Sequence, residues 1–166
     1  MIGVDEFNAL PEHDAMQALL SCCSAARWAT AVASSRPYDS VADLLAASDA
    51  AVVELGEPDL REALAGHPRI GDRRAVAGRG WSGQEQAGVR GADELVLREL
   101  ADGNGAYERR FGHIYLACAT GRCAQELLDF LNERLGNERK TEWRVVAGEL
   151  AKINQIRLRK LIGDVA

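Results

Sequence analysis

The stretch Gly66-His67-Pro68-Arg69 places a histidine where its side chain could carry out acid–base chemistry. Proline disfavours helical geometry in the residue before it, so His67 should lie on a stiff turn directly after a helix that ends at Gly66. Three arginines follow within seven residues: Arg69, Arg73 and Arg74. A rigidly held imidazole in a basic setting can exchange a proton with an anionic molecule. A histidine that only interacts with a helix C-terminus is the alternative, and on this stretch alone it is the commoner case.

Glu85 is a second candidate, in the sequence Ser82-Gly83-Gln84-Glu85-Gln86. The Ser-x-x-Glu spacing is typical of a capping box, which predicts that a helix starts at Ser82 and that Glu85 needs no further role. A carboxylate that follows a basic loop could instead orient an imidazole or bind ureido N–H groups. The pattern alone favours the cap.

The last predicted helix, from Glu138 to about Ile162, contains a third candidate. Its apolar residues recur at helical spacing and form one stripe: Trp143, Val146, Leu150, Ile153 and Leu161. Arg157 falls within this stripe, whereas Arg144, Lys152 and Arg159 fall on the other side. A buried arginine must be paired or lie in a pocket. Arg157 therefore either closes an intrachain ion pair or binds an anionic ligand, for which the guanidinium fork is well shaped.

The elements that must position these residues are helical. Alanine, leucine, glutamate and arginine are abundant and alternating β-branched residues are nearly absent, which predicts an all-α fold. We expect one domain over residues 1–166, a bundle of roughly eight or nine helices. The predicted helices span about 13–23, 24–34, 40–55, 57–65, 82–110, 122–135 and 138–162. Residues 71–81 are predicted to be a loop, and residues 111–118 are a candidate for a short extended segment.

Composition and charge exclude several classes of protein. The net charge of −5 gives no electrostatic case for nucleic-acid binding, and no apolar run reaches membrane-spanning length. The first residues lack the basic and apolar regions of a signal peptide, and the last four match no targeting signal. The four cysteines lack zinc-binding or redox spacing and the three histidines are scattered. We expect a reduced, cytoplasmic protein with no metal site.

Taken in order, these motifs resemble the 2-oxo-4-hydroxy-4-carboxy-5-ureidoimidazoline (OHCU) decarboxylases of urate degradation. The matching motifs are His67-Pro68-Arg69-Ile70-Gly71, Ser82-x-x-Glu85-Gln86-x-Gly88, Asn104-x-x-Tyr107-x-x-x-Phe111-Gly112, Arg134-Leu135-x-Asn137 and Ile153-x-x-x-Arg157-Leu158. Each motif is short, but their ordered combination covers nearly the whole chain and is specific.

The resemblance implies an all-helical, cofactor-free homodimer that converts OHCU to (S)-allantoin and carbon dioxide. His67, Glu85 and Arg157 match the catalytic residues of the family. The positions that match its substrate-contacting segments are Pro68, Ser82, Gly83, Gln84, Glu85, Gln86, Tyr115, Leu116, Ala117, Cys118 and Ala119. The sequence departs from the family at His113, where an apolar or aromatic residue is usual. It departs again at Tyr115-Leu116-Ala117, where Phe-Val-Ile or Phe-Val-Val is usual.

The chemistry of the residues agrees with this resemblance. Loss of carbon dioxide leaves electron density that the ring carbonyl and imine of the substrate can absorb, so no cofactor is required. Arg157 would hold the anion, backbone N–H groups at residues 117–119 would stabilise developing charge, and His67, oriented by Glu85, would protonate one face. Two alternatives remain: a hydrolase of a related cyclic ureide such as allantoin, and a catalytically inert helical interaction module.

Overall fold

Helices make up the regular structure of the chain. The computed structural model describes residues 2–74 and 80–164, and these contain nine α-helices and no β-strand, which confirms the all-α prediction. None of the described helices combines the length and the apolar character needed to cross a membrane. The helices are α1 (Val4–Ala9), α2 (Glu12–Cys22), α3 (Ala26–Ser34), α4 (Val41–Val53), α5 (Glu57–Ala65), α6 (Trp81–Glu85), α7 (Glu94–Phe111), α8 (Ala124–Leu135) and α9 (Arg139–Leu161), with a 3₁₀ turn at Ala87–Val89.

The chain divides into two compact units, which we name by their place in the sequence. The terminal unit comprises Met1–Gly66 and Leu150–Ala166, and the central unit comprises His67–Glu149. The expectation of one domain over residues 1–166 stays a prediction.

The terminal unit is built on helices whose ends are set by recognisable residues. The Ser40 side chain accepts a hydrogen bond from the Asp43 N–H at 3.1 Å, so Ser40 caps α4 as predicted. Pro58 lies in the first turn of α5, where its missing N–H costs no helical hydrogen bond. Trp28 is fully buried at the core and donates to the Ser48 hydroxyl at 3.2 Å. This hydrogen bond pairs two polar groups inside the apolar interior of the unit.

The end of α5 is fixed by a side chain from the preceding connection. Ser24 Oγ donates to the carbonyl of Glu62 at 2.8 Å and lies 3.2 Å from that of Ala63, which satisfies acceptors in the last helical turn. A Cβ atom at Gly66 would lie 2.5 Å from Ser24 Oγ, so this close approach requires glycine. The helix therefore ends where the sequence predicts, and the chain continues directly into His67.

The core of the central unit lies between α7 and α8. Leu100, Tyr107 and Phe111 from α7 pack with Leu127 and Leu131 from α8, and all are at most 2% exposed. A Cβ atom at Gly103 would lie 2.9 Å from a methyl carbon of Leu131, so glycine lets these helices approach closely. This tight packing fixes the position of the side chains that α7 carries.

Four features differ from the prediction. Helix α1 was not predicted, because at six residues, with only Phe7 buried, it is too short to show helical periodicity. The helix predicted over 82–110 is three elements, separated by a turn in which Gly91 has φ +72°. Part of the predicted 71–81 loop, residues 75–79, lies outside the described residues, and its last residue begins α6. The predicted extended segment begins later, because α7 continues through Phe111.

Candidate functional site

His67 is the first residue of the central unit and lies on a short turn, half-buried. The turn that follows is anchored at Ile70, whose side chain is 5% exposed in the core. Gly71 has φ +81°, a left-handed conformation that favours glycine. The prediction that His67 follows a helix end is confirmed.

Two side-chain amides bind the backbone of this turn. The Gln86 side chain accepts a hydrogen bond from the Gly71 N–H at 2.9 Å and lies 3.5 Å from the Arg69 carbonyl as a donor. The buried Asn104 side chain donates to the Ile70 carbonyl at 2.9 Å. Through these contacts, the Ser-x-x-Glu-Gln motif and helix α7 both hold the segment that carries His67.

The capping-box interpretation of Glu85 is wrong. Helix α6 starts at Trp81 with Gly80 as its N-cap, so Ser82 lies within the first turn and cannot cap it. Glu85 is the last residue of this five-residue helix, and it is only 8% exposed. A carboxylate buried at the end of a helix requires an explanation other than N-terminal capping.

Gly88 brings this motif against the segment that follows residue 119. A Cβ atom at Gly88 would lie 2.1 Å from the Arg122 carbonyl oxygen, a distance no real side chain tolerates. The 3₁₀ turn therefore rests directly on the backbone at Arg122, and any substitution at Gly88 must displace one of the two. This explains why a glycine belongs to the Ser82-x-x-Glu85-Gln86-x-Gly88 pattern.

Residues 114–119, which we call the extended segment, lie in neither a helix nor a strand, and the described residues contain no strand. Side chains bind its backbone in place of a sheet ladder. The Cys118 N–H donates to the Glu149 carboxylate at 2.8 Å, and the Leu116 carbonyl accepts from Arg134 at 2.6 Å. The Tyr115 hydroxyl donates to the Leu127 carbonyl at 2.9 Å. Residues 115–119 are all buried, so these bonds satisfy backbone groups that lack a sheet ladder.

The bond to Glu149 corrects part of the predicted mechanism. We expected N–H groups at residues 117–119 to stabilise charge on a substrate, but that of Cys118 already donates to a carboxylate. Glu149, which is 3% exposed and 3.5 Å from Arg122, was missed by sequence reasoning. The helical pattern did indicate that Glu149 is buried. Steps of four, three and four residues place it on one buried face of α9 with Glu142, Val146 and Ile153.

The motif that contains Glu85 lies beside the end of the extended segment. Gly88 rests on the Arg122 backbone, and the Arg122 N–H donates to the Ala119 carbonyl at 3.0 Å. Burial raises the pKa of the Cys118 thiol, and the negative charges of Glu149 and Glu85 also raise it.

A buried network around Arg134 supports this arrangement. Arg134 Nε donates to Glu142 at 2.7 Å, and the Tyr107 hydroxyl donates to the same carboxylate. The guanidinium lies over the rings of Tyr115 at 4.8 Å and Phe130 at 5.0 Å. Burial and the hydrogen bond to Glu142 raise the pKa of Tyr107 far above its usual value. Tyr107 and Arg134, both in the quoted motifs, therefore hold the core and the extended segment.

His113 packs among aromatic rings. Its ring centroid lies 4.2 Å from Trp143 and 5.3 Å from Tyr107, and Nδ1 lies 3.0 Å from the Ile114 carbonyl oxygen. The side chain occupies a place suited to the apolar or aromatic residue usual in the family. His113 is therefore a core residue of the central unit.

Arg157 belongs to the terminal unit and is 5% exposed. Its guanidinium donates to the Cys22 carbonyl at 2.9 Å. Arg144, Lys152 and Arg159 are exposed, as the helical pattern predicts. The neighbouring Cys23 thiol has a raised pKa because of burial, an effect that the positive charge of Arg157 opposes.

Comparison with known proteins agrees with these motifs. The model of the family described as OHCU decarboxylase matches residues 8–159. A uric acid degradation bifunctional protein of Arabidopsis thaliana is 30% identical over 156 residues, which cover 87% of this chain and 46% of that protein. An OHCU decarboxylase of Amia calva is 31% identical over 138 residues, covering 81% of this chain and 79% of that protein. The bifunctional protein PucL of Bacillus subtilis is 25% identical, and this chain spans 33% of its length.

Solved structures show the same likeness. A crystal structure of OHCU decarboxylase in the presence of (S)-allantoin matches with a TM-score of 0.76 and 28% identity, covering 87% of this chain and 96% of that chain. A structure of (S)-allantoin synthase matches with a TM-score of 0.74 at 19% identity, over 97% of this chain and 54% of that chain. The second match bears on the fold alone.

Proposed function

Because the chain belongs to the OHCU decarboxylase family, we propose that it converts OHCU to (S)-allantoin and carbon dioxide in urate degradation. This chain spans less than half the length of the two bifunctional relatives, so the proposal concerns the decarboxylation step alone. Relatives that act in urate degradation support it, as does the structural match to an OHCU decarboxylase in the presence of (S)-allantoin.

The observation that carries the proposal is the convergence of three motifs in the central unit. Gln86 contacts the turn after His67 at Arg69 and Gly71, and Gly88 of the same motif lies against the backbone at Arg122, just after residues 115–119. These residues are far apart in sequence, and a protein that served only as a helical scaffold would have no need to gather them. The convergence supports a site that contains an imidazole and a carboxylate.

The proposed reaction breaks the bond between the ring carbon and its carboxylate. The electron pair moves into the adjacent ring imine, which gives an enol between the two ring carbons, and carbon dioxide leaves. His67 then delivers a proton to one face of the neighbouring ring carbon, which carries the ureido group, while the hydroxyl on the decarboxylated carbon loses its proton and becomes the carbonyl of allantoin. The face that receives the proton sets the configuration of the product, and Glu85 orients or polarises His67. We assign to Arg157 the binding of the substrate's anionic groups.

Stabilisation of the developing negative charge is assigned to the amides of Ala117 and Ala119, since the Cys118 amide already donates to Glu149. Contacts to the substrate from Pro68, from residues 82–86 and from residues 115–119 remain part of the proposal. Tyr115 would contribute through its main chain, because its hydroxyl is bound to the Leu127 carbonyl inside the core.

The test is an assay on freshly generated OHCU, following both carbon dioxide release and the chirality of the allantoin. The proposed function predicts accelerated release and a single enantiomer. Consumption of allantoin itself would support a cyclic-ureide hydrolase instead, and a rate no faster than the spontaneous reaction would support an inert module.

We expect exhaustive treatment with a chelator to leave the activity intact. A loss of activity that one divalent ion restores would contradict the cofactor-free mechanism.

We further propose that the protein works as a homodimer in the cytoplasm, as the family resemblance implies. Light scattering coupled to size-exclusion chromatography would measure the oligomeric state. A monomeric mass at working concentration would contradict the dimer.

A further inference from the structure

We propose that Asn104 is a positioning residue that sets the orientation of His67 through the backbone of the turn after it. The inference rests on the proposed function, because it assigns Asn104 a part in the protonation step. Asn104 does not act on the substrate; its effect passes through the Ile70 carbonyl to the histidine three residues earlier.

The contact is buried and directional. Asn104 is 5% exposed, and its side-chain amide donates to the Ile70 carbonyl at 2.9 Å. Between His67 and Ile70 lie Pro68, whose ring fixes one backbone dihedral and restricts the residue before it, and Arg69, whose carbonyl lies 3.5 Å from the Gln86 side-chain amide. The position of the Ile70 carbonyl therefore influences the His67 backbone through a short connection with few free dihedrals.

Packing alone does not fix this turn. The Ile70 side chain is held in the core, but the neighbouring Gly71 lines two cavities, one of about 240 Å³ and one of about 440 Å³. The smaller cavity is also lined by Asn104 itself. The main chain therefore has space to rotate around the anchored side chain, and the bonds from Asn104 and Gln86 oppose that rotation.

The part of α7 that carries Asn104 is tightly packed. Asn104 follows Gly103, whose close approach to Leu131 ties α7 to α8, and it precedes Tyr107 of the buried Arg134 network by three residues. Asn104 therefore links the turn after His67 to the tightly packed contact between α7 and α8.

The same helix offers a matched control one turn further on. Glu108 also holds this turn, through an ion pair with Arg69 at 2.6 Å, but the two side chains are 27% and 57% exposed. Exposed ion pairs contribute little to fixing a backbone. The two contacts differ in burial, while the helix and the segment they join are the same.

The experiment compares Asn104→Asp, Asn104→Ala and Glu108→Gln in the full chain. The aspartate keeps the size of the side chain but presents no donor to the Ile70 carbonyl, and the alanine removes the donor without burying a charge. For the folded Asn104 variants we expect kcat to fall roughly 10- to 100-fold with KM little changed, and the product to lose enantiomeric purity. Glu108→Gln should match the wild type.

A readout without substrate separates this inference from the proposed function. Hydrogen exchange at the Gly71 amide should accelerate in the Asn104 variants and not in Glu108→Gln. The His67 ring resonance, one of only three histidine signals, should shift in the same variants. If the wild type fails to convert OHCU, the proposed function falls, and the exchange and resonance measurements still decide whether Asn104 orients His67.

Two results would overturn the inference. One is unchanged exchange at residues 69–71 together with an unshifted His67 resonance in both Asn104 variants. The other is a lower melting temperature with the kcat and single product enantiomer of the wild type retained in the folded fraction, which would make Asn104 a residue of stability only.

Discussion

The two histidines of the central unit are held in opposite ways. His113 is fixed through its ring, which packs against Trp143 and Tyr107 within a buried aromatic cluster. The His67 segment is fixed through its main chain, by bonds from Gln86 and Asn104 to the turn that follows it. A core histidine needs its ring in one place, whereas a histidine that transfers protons needs a defined backbone and a ring that can meet a substrate. The residue type alone does not distinguish the two, but the described contacts of each segment do.

Replacing His67 should produce the largest effect on activity. For His67→Ala we expect the fold to persist and turnover to fall on the order of 10²-fold or more, because the group that delivers the proton is lost. The allantoin that still forms should be nearly racemic, since it arises by the spontaneous route. Kinetics combined with chiral chromatography make the measurement, and a variant with full rate and one enantiomer would remove His67 from the mechanism.

Glu85→Gln tests whether the neighbour of the His67 segment is catalytic. Because glutamine matches the size and shape of glutamate, the substitution should leave the melting temperature nearly unchanged, while loss of the carboxylate lowers activity by roughly 10- to 100-fold. Measuring both properties on one preparation decides the matter. Wild-type turnover in the variant would show that the buried carboxylate of Glu85 has only a structural role.

Arg157→Lys extends the comparison to the terminal unit, with Arg159→Lys as its control on the exposed face of the same helix. A lysine cannot reproduce the planar fork, so we expect Arg157→Lys to lower kcat/KM by about tenfold, which corresponds to about 1.4 kcal/mol. Arg159→Lys should change little. Equal and mild effects at both positions would show that burial on α9 does not indicate substrate binding, and lower stability with intact activity would indicate a purely structural arginine.

His113→Phe should have the smallest effect and sharpens the contrast with His67. Phenylalanine restores the residue class usual in the family and keeps the ring among Trp143 and Tyr107, at the loss of the contact between Nδ1 and the Ile114 carbonyl. We expect unchanged activity and a change in the free energy of unfolding within about 1 kcal/mol. Strongly impaired turnover in a folded variant would place His113 in the catalytic machinery.

The sequence was a reliable guide to features with local causes. Ser40 caps α4, Gly66 follows the end of α5, and the middle of the apolar stripe of α9 is buried together with Arg157, because each depends on residues within a few turns of one helix. The Ser82-x-x-Glu85-Gln86-x-Gly88 motif was also identified in sequence, and in the central unit its Gln86 binds the turn after His67 and its Gly88 rests on the backbone at Arg122.

What could not be predicted depends on contacts between distant residues. Glu149 binds the amide of Cys118, which is 31 residues away in sequence, and Asn104 binds the carbonyl of Ile70, which is 34 residues away. No local sequence pattern predicts either bond. The capping box failed for a different reason. Ser-x-x-Glu fits a helix with Ser82 as its N-cap, but the N-cap of α6 is Gly80 and the helix ends at Glu85, so Glu85 is a buried helix end and not a capping residue of the first turn.

The way the extended segment is held has a consequence for how this enzyme family can diversify. The groups that bind its main chain at residues 116 and 118 belong to Arg134 and Glu149, outside the segment itself. The side chains of Leu116 and Ala117 can therefore be exchanged while the path of the peptide is retained. Under the proposed substrate contacts of residues 115–119, variation at 116 and 117 with Arg134 and Glu149 kept would change the substrate preference without redesigning the scaffold.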